Sequence, residues 1–396
     1  MLKKILIVGG GFGGIRTALN LAKQKLPDVQ ITLISDRAHF EFHPALFRVV
    51  TGHAPEEVSI SLADIFAGKN VTLVQDTITD VVPGEKMLTG ASGAQYSYEY
   101  LVLGLGSETD YFNIPGLAEL SFGFTTIDQA LKLRHHLHDV FRRCHEEGTS
   151  EAKVCDAHIV IVGGGATGTE LAGELAVYLR QLAKQYDFEP SLVTLDLIEA
   201  APRLLGVVPE RMSRRIAERL HKLGVNIFLN RSVIREEVET VFMKDMEMKT
   251  KTLIWAAGVK PNSLYCRIPG VSLTPKHRVE VDEFLQAKNL TGVFVIGDGA
   301  STPHTGMAQT ALSDGAQVAD IIAKKILGKT PLQYDDKSVV YAVPVGPHWA
   351  AVALGGMTFY GLPGWIMRQL ADLRFFLSIL PPTKALTVMY KSYPMK

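Results

Sequence analysis

The chain has 396 residues, in which 41 Lys and Arg balance 41 Asp and Glu. That length exceeds what one hydrophobic core serves, since cores stop growing near roughly 250–300 residues, so two or three domains are expected. A net charge of zero leaves no positive field to gather nucleic acid, and Cys144, Cys155 and Cys266 are too scattered for a C-x-x-C dithiol, so redox chemistry would belong to a bound cofactor.

Residues 5–8 are the only apolar run near the start, too short for the core of a signal peptide, and a cytoplasmic chain is expected. That run, Ile5-Leu6-Ile7-Val8, is a buried strand in pattern. It meets Gly9-Gly10-Gly11-Phe12-Gly13-Gly14, a G-x-G-x-x-G turn, and then a helical pattern over 15–23. The next strand ends at Ser35 or Asp36, of which Asp36 is the stronger acceptor for a ribose hydroxyl. A further strand, 100–103, runs into Gly104-Leu105-Gly106. The series then recurs: Ile159-Val160-Ile161-Val162 meets Gly163-Gly164-Gly165-Ala166-Thr167-Gly168, a helix over 170–182, and a strand ending at Glu199. Thr252-Leu253-Ile254-Trp255-Ala256-Ala257-Gly258 repeats the earlier strand and glycine. Gly9 to Gly163 is an offset of 154 and Gly106 to Gly258 one of 152, so the chain holds two copies of one α/β fold.

A lone glycine motif is weak, but here each follows a strand, opens a helix and precedes a second strand ending near an acid. Gly9 and Gly163 make the tight turn, Gly11 and Gly165 let the backbone approach a pyrophosphate, and Gly14 and Gly168 bring helix against strand. Phe12, Gly13, Ala166 and Thr167 complete the loops, whose helix N-termini offer unpaired N–H groups to phosphates. Glu199 is placed to accept from an adenosine ribose and to repel a 2′-phosphate, which favours NADH over NADPH; Arg203, four residues on, is the feature that would weaken this. Further along, the strand 292–296 delivers Asp298 onto a glycine-flanked turn, as a ribityl-binding carboxylate would require. A helix over 307–325 follows, then a short β-rich piece over 339–358. Between Pro363 and Pro381 lies one amphipathic helix, with Ile366, Leu370, Leu373, Leu377 and Leu380 as an apolar stripe and Arg368 paired with Asp372 on another face. At under about 20 residues with three charges it is too short to span a bilayer, and suits either the interface plane or packing on the protein itself. His39, His43, His135, His136, His158, His304 and His348 show no metal-ligand spacing, so no metal is expected.

These residues resemble the flavoproteins with two dinucleotide-binding domains, and within them the single-subunit type II NADH dehydrogenases that reduce quinones. The likeness spans nearly the whole chain: both glycine loops, Leu103-Gly104-Leu105-Gly106-Ser107 with the following Tyr111 to Gly116, Gly168-Thr169-Glu170-Leu171-Ala172-Gly173-Glu174-Leu175, Trp255 to Val259, and Gly297-Asp298-Gly299-Ala300. The resemblance implies FAD in the first fold, held also by Ile78 and Ala308, and NADH in the second. It puts Glu170, whose counterpart in the first copy is Arg16, beside nicotinamide and flavin as an orienting or proton-relaying group. The family's quinone-side motif A-Q-x-A-x-Q is matched by Ala308, Gln309 and Ala311, while Ser313 replaces the second Gln; Gln309 and Ser313 would form a polar wall, with Gln317 as a substitute from the next turn. It further implies docking of the C-terminal region on the cytoplasmic face of a membrane, and leaves a homodimer open.

The expected architecture is an FAD domain over 1–115 resumed at 280–328, an NAD domain over 116–279, and a docking region over 329–396. Three rivals stand beside the quinone reading. A sulfide:quinone reductase needs cysteines that the sequence does not place, a ferredoxin or rubredoxin reductase needs no membrane helix, and a slow redox sensor would fit the missing second Gln.

Overall fold

A computed structural model describes residues 2–146 and 156–392, so Cys155 lies outside the described residues. The first copy opens with β1 (Lys3–Val8), α1 (Phe12–Lys23) and β2 (Val29–Ser35). A short helix α2 (Phe47–Val50), β3 (Thr72–Gln75) and β4 (Tyr100–Leu103) complete it. The second copy follows: β5 (Phe122–Gly123), α3 (Ile127–Glu146), β6 (His158–Val162), α4 (Ala166–Gln185) and β7 (Thr194–Ile198). It closes with α5 (Glu210–Lys222), β8 (Val225–Phe228) and β9 (Thr252–Trp255).

The chain then returns to the first sheet as β10 (Val293–Val295), giving the parallel order β10-β4-β1-β2-β3, while the second sheet runs β5-β9-β6-β7-β8. Register confirms the repeat. Val8 pairs with Ile34 in one sheet and Val162 with Ile198 in the other, and the N–H groups of Gly9 and Gly163 donate to Ile34 and Ile198 at 2.8 Å each. Both turn glycines have positive φ, +113° and +116°, a conformation that side chains disfavour. Each copy also carries a three-stranded antiparallel meander before its last strand, at 78–97 and 233–249, which the sequence pattern did not reveal.

α6 (Ala308–Ile326) packs along α1, and the chain ends in a second small sheet and two helices. The sheet is β11 (Tyr341–Pro344), β12 (Ala350–Leu354) and β13 (Met357–Gly361), overrunning by three residues the β-rich span expected over 339–358. Where one terminal helix was expected there are two, α7 (Leu362–Ile379) and α8 (Pro382–Ser392). Pro381 does end the first helix, but Pro382 is compatible with opening the second, because a first-turn proline forfeits no helical hydrogen bond. Most of the apolar stripe of α7 faces outward: Ile366, Leu370 and Leu377 are 46%, 59% and 45% exposed, while Asp372, Phe376 and Ile379 are buried. None of the described helices is long and apolar enough to cross a membrane.

Candidate active site

At the first glycine loop, a side chain added at Gly11 would meet nothing within 4 Å, and the same holds for Gly165 in the second loop. Open space therefore stands over the backbone N–H groups of both helix starts, with Ala166 and Thr167 exposed, so the loops fit dinucleotide phosphates. Phe12 packs its ring edge-on to Phe40, with centroids 4.9 Å apart. Gly14 and Gly168 both abut the carbonyl of the turn glycine behind them, where any side chain would collide.

The strand ends differ between the copies. Glu199 follows Ile198, and its carboxylate accepts from Gly164 N–H and from Ala201 N–H, the latter at 2.7 Å. By the register, the residue at this place in the first copy is Ser35, not Asp36. Ser35 is buried against Gly10, whereas Asp36 turns outward beside Arg37 with its side chain 59% exposed. The strand simply ends one residue earlier than its acid. Arg203 is folded back on its own loop, donating to the carbonyls of Val208 at 2.9 Å and Gly206, so its guanidinium is engaged there.

Asp298 lies at the C-terminal end of β10, partly exposed, and accepts from the Ser107 hydroxyl at 2.7 Å. Gly106, at φ +70°, leads into that serine. Gly258 accepts through its carbonyl from Asp110 N–H, tying the two equivalent turns together across the cleft. Ile78 is buried behind Ile34 in the first core. One group was missed from sequence: Asp314 of α6 is wholly buried, accepts from Gly297 N–H at 3.0 Å, and has its carboxyl pushed up to about 6 by burial. An acid in an apolar helix stretch before Gly315 was its only sign.

Helix α7 lies against the start of α1 and brings its charges to Glu170 near the start of α4. Arg16 of α1 donates to Ser378 at 2.6 Å, and Phe375 stands 5.2 Å from Phe12. At the equivalent position of α4, Glu170 faces the Arg368 and Asp372 charges of the same helix. Arg368 donates to Asp372 at 2.7 Å and to the Pro44 carbonyl at 3.2 Å. Lost hydration pushes the Glu170 carboxyl up to about 8; the Arg368 charge works against this, and the Asp372 and Glu174 charges work with it. Burial thus favours the protonated form of Glu170.

The residues of the partial A-Q-x-A-x-Q motif engage the chain's own backbone and side chains. The Gln309 amide is taken at both ends by Val340, donating to its carbonyl at 2.6 Å and accepting from its N–H at 3.2 Å. Gln317 donates to Ser313 at 3.0 Å and clasps the backbone of Asp335 in the same two-ended way. Gln317 is therefore not an idle surface residue. Together the two amides pin segment 335–340 to α6, and Ala308 opens that helix beside the Asp298 turn.

Two glycine-loop folds of one register, spanned by a shared helix, define a two-dinucleotide oxidoreductase of α/β class. The family model of pyridine nucleotide-disulphide oxidoreductases matches residues 3–315, and the chain belongs to that family. It is 28% identical over 413 residues to the type II NADH:quinone oxidoreductase of Mycobacterium tuberculosis, covering 98% of this chain and 86% of that protein. Over 382 residues it is 29% identical to the type II NADH:quinone oxidoreductase of Haemophilus influenzae, covering 86% and 85%. Its fold matches that of NDH2 from Plasmodium falciparum, solved in complex with NADH, at a TM-score of 0.88 and 19% identity over 100% of this chain and 98% of that one.

Proposed function

We propose that this chain oxidises NADH and reduces a quinone, with FAD in the first fold and NADH in the second. The observation that carries this reading is Glu170, a carboxyl near the N-terminal end of the second fold's helix that faces the charges of α7, the same helix that touches the first fold through Arg16. FAD, when bound, takes the hydride of NADH and passes two electrons onward. The chain's own residues bind, orient and move protons. Gly9 to Gly14 and Gly163 to Gly168 seat the pyrophosphates, Asp298 with Ser107 holds the ribityl side, and Ile78 meets the adenine through its backbone. Glu199 holds a ribose, Ser35 answers it in the first fold, and the engaged Arg203 leaves the preference with NADH. Glu170 supplies a proton at its carboxyl to the quinone side.

In this reading residues 1–115 with 280–328 form the FAD unit, 116–279 the NADH unit, and 329–396 the docking region. The outward Ile366, Leu370 and Leu377 of α7, with Leu386 of α8, rest on the cytoplasmic face of a membrane. A second reading, a soluble acceptor in place of quinone, is favoured by the occupied Gln309 amide. Anaerobic flavin bleaching by NADH, followed by reoxidation with menaquinone or ubiquinone analogues against a ferredoxin, separates the two.

A further inference from the structure

We infer that His53 and Glu174 form the proton inlet of this site, His53 taking a proton from solvent and Glu174 handing it to Glu170. The inference rests on the NADH:quinone reading. Its balance is NADH + H⁺ + quinone → NAD⁺ + quinol: the hydride carries both electrons and one hydrogen, so each turnover draws one further proton from water.

Glu170 and Glu174 stand one turn apart on one face of α4, the spacing at which helix side chains meet. Residues 48–53 are laid against that face. Gly52 sits where a side chain would come within 3.4 Å of the Tyr178 ring, one turn beyond Glu174. His53 N–H donates to the Arg48 carbonyl at 3.0 Å, and Arg134 fastens the His53 carbonyl at 3.2 Å, so the imidazole is held on a fixed loop. Its side chain is 35% exposed, which gives water access, and the buried Glu57 carboxylate lies 3.0 Å from Nδ1. With Glu57 at Nδ1, Nε2 is the ring nitrogen left to carry the travelling proton.

The groups facing Glu174 are Arg48 of α2, His53, Arg219 of α5 and Glu170 of its own helix; those facing Glu170 are Arg368, Asp372 and Glu174. Burial raises Glu174 against the pull of Arg48, His53 and Arg219. Two neighbouring carboxyls in a dry setting share a proton more readily than they ionise together. A separate hydrogen-bonded line runs the other way, from Tyr178 to His138 Nε2 at 3.0 Å and from His138 Nδ1 to Tyr186 at 2.8 Å.

The test uses the flavin-loaded full chain as wild type, Glu174→Gln, His53→Gly and Tyr178→Phe. NADH-driven flavin bleaching stays within about twofold in all four, while quinone-dependent reoxidation falls about tenfold or more in Glu174→Gln and His53→Gly, with a larger solvent deuterium effect. Added imidazole restores His53→Gly, and Tyr178→Phe behaves as wild type. Independently of turnover, infrared titration of the Glu170 carboxyl shifts to lower pH in Glu174→Gln, because a like charge has gone. An unmoved titration, no imidazole rescue, or a defect confined to Tyr178→Phe would overturn the inlet. A wild type that is bleached but never reoxidised by quinone would overturn the quinone reading instead.

Discussion

Glu199 shows how a strand-end carboxylate is fixed before any ligand arrives: two backbone N–H donors aim it at the mouth of the second glycine loop. Replacing it by Ala removes the loop anchor and, on the proposed reading, the ribose acceptor, each worth about 1–3 kcal/mol when a buried partner is left alone. The expected result is a KM for NADH raised about tenfold or more with kcat little changed, and a smaller preference over NADPH, read from initial rates with both nucleotides. Glu170 has a different signature. Its folded pKa of about 8 lies above the unfolded value near 4.5, so the folded state binds the extra proton between those values and stability falls as pH rises through that window. Glu170→Gln removes the penalty, so its stability relative to wild type should grow from pH 5 to pH 8 by about 3–4 kcal/mol, measured by urea unfolding at each pH. A difference independent of pH would contradict the assignment. The sequence located both acids, but the partnership of Glu170 with Arg368 joins residues far apart in the chain and left no local pattern to find.

At the scale of elements, segment 335–340 and helix α7 carry the most specific expectations. Each two-ended amide clasp replaces water contacts by a pair of backbone hydrogen bonds, worth about 1–2 kcal/mol together. Gln309→Ala should therefore lower Tm by about one to two degrees and speed proteolysis near Val340, as seen by thermal scanning and limited digestion; an unchanged Tm with only a raised quinone KM would restore the motif's role as a direct quinone contact. Leu370→Glu on the outward face of α7 should abolish co-sedimentation with anionic vesicles while leaving Tm within about a degree, since no packed side chain is lost. The strands, glycine turns and leading helices were legible because buried runs and glycines at fixed offsets are sequence-local signals. The meanders were not, being short half-exposed strands, and the sequence left Ser35 and Asp36 both open, because a one-residue difference in strand end is set by sheet register.

For the whole molecule, the repeat places two dinucleotide loops in equivalent settings, and the C-terminal helix differentiates them by meeting Arg16 on one side and Glu170 on the other. The same helix turns its Arg368–Asp372 pair inward and Ile366, Leu370 and Leu377 outward, so the proposed proton chemistry and the proposed docking fall on opposite sides of one element. The pattern of apolar and charged positions was visible in the sequence; which side faced the protein was decided by tertiary packing. The most direct measurement is stopped-flow absorbance of the flavin-loaded chain without oxygen, mixed first with NADH and then with a quinone analogue. The account predicts bleaching by NADH within the mixing time of turnover and full recovery of the flavin band on quinone addition, at many cycles per second. Bleaching without recovery, or no bleaching by NADH, would contradict it.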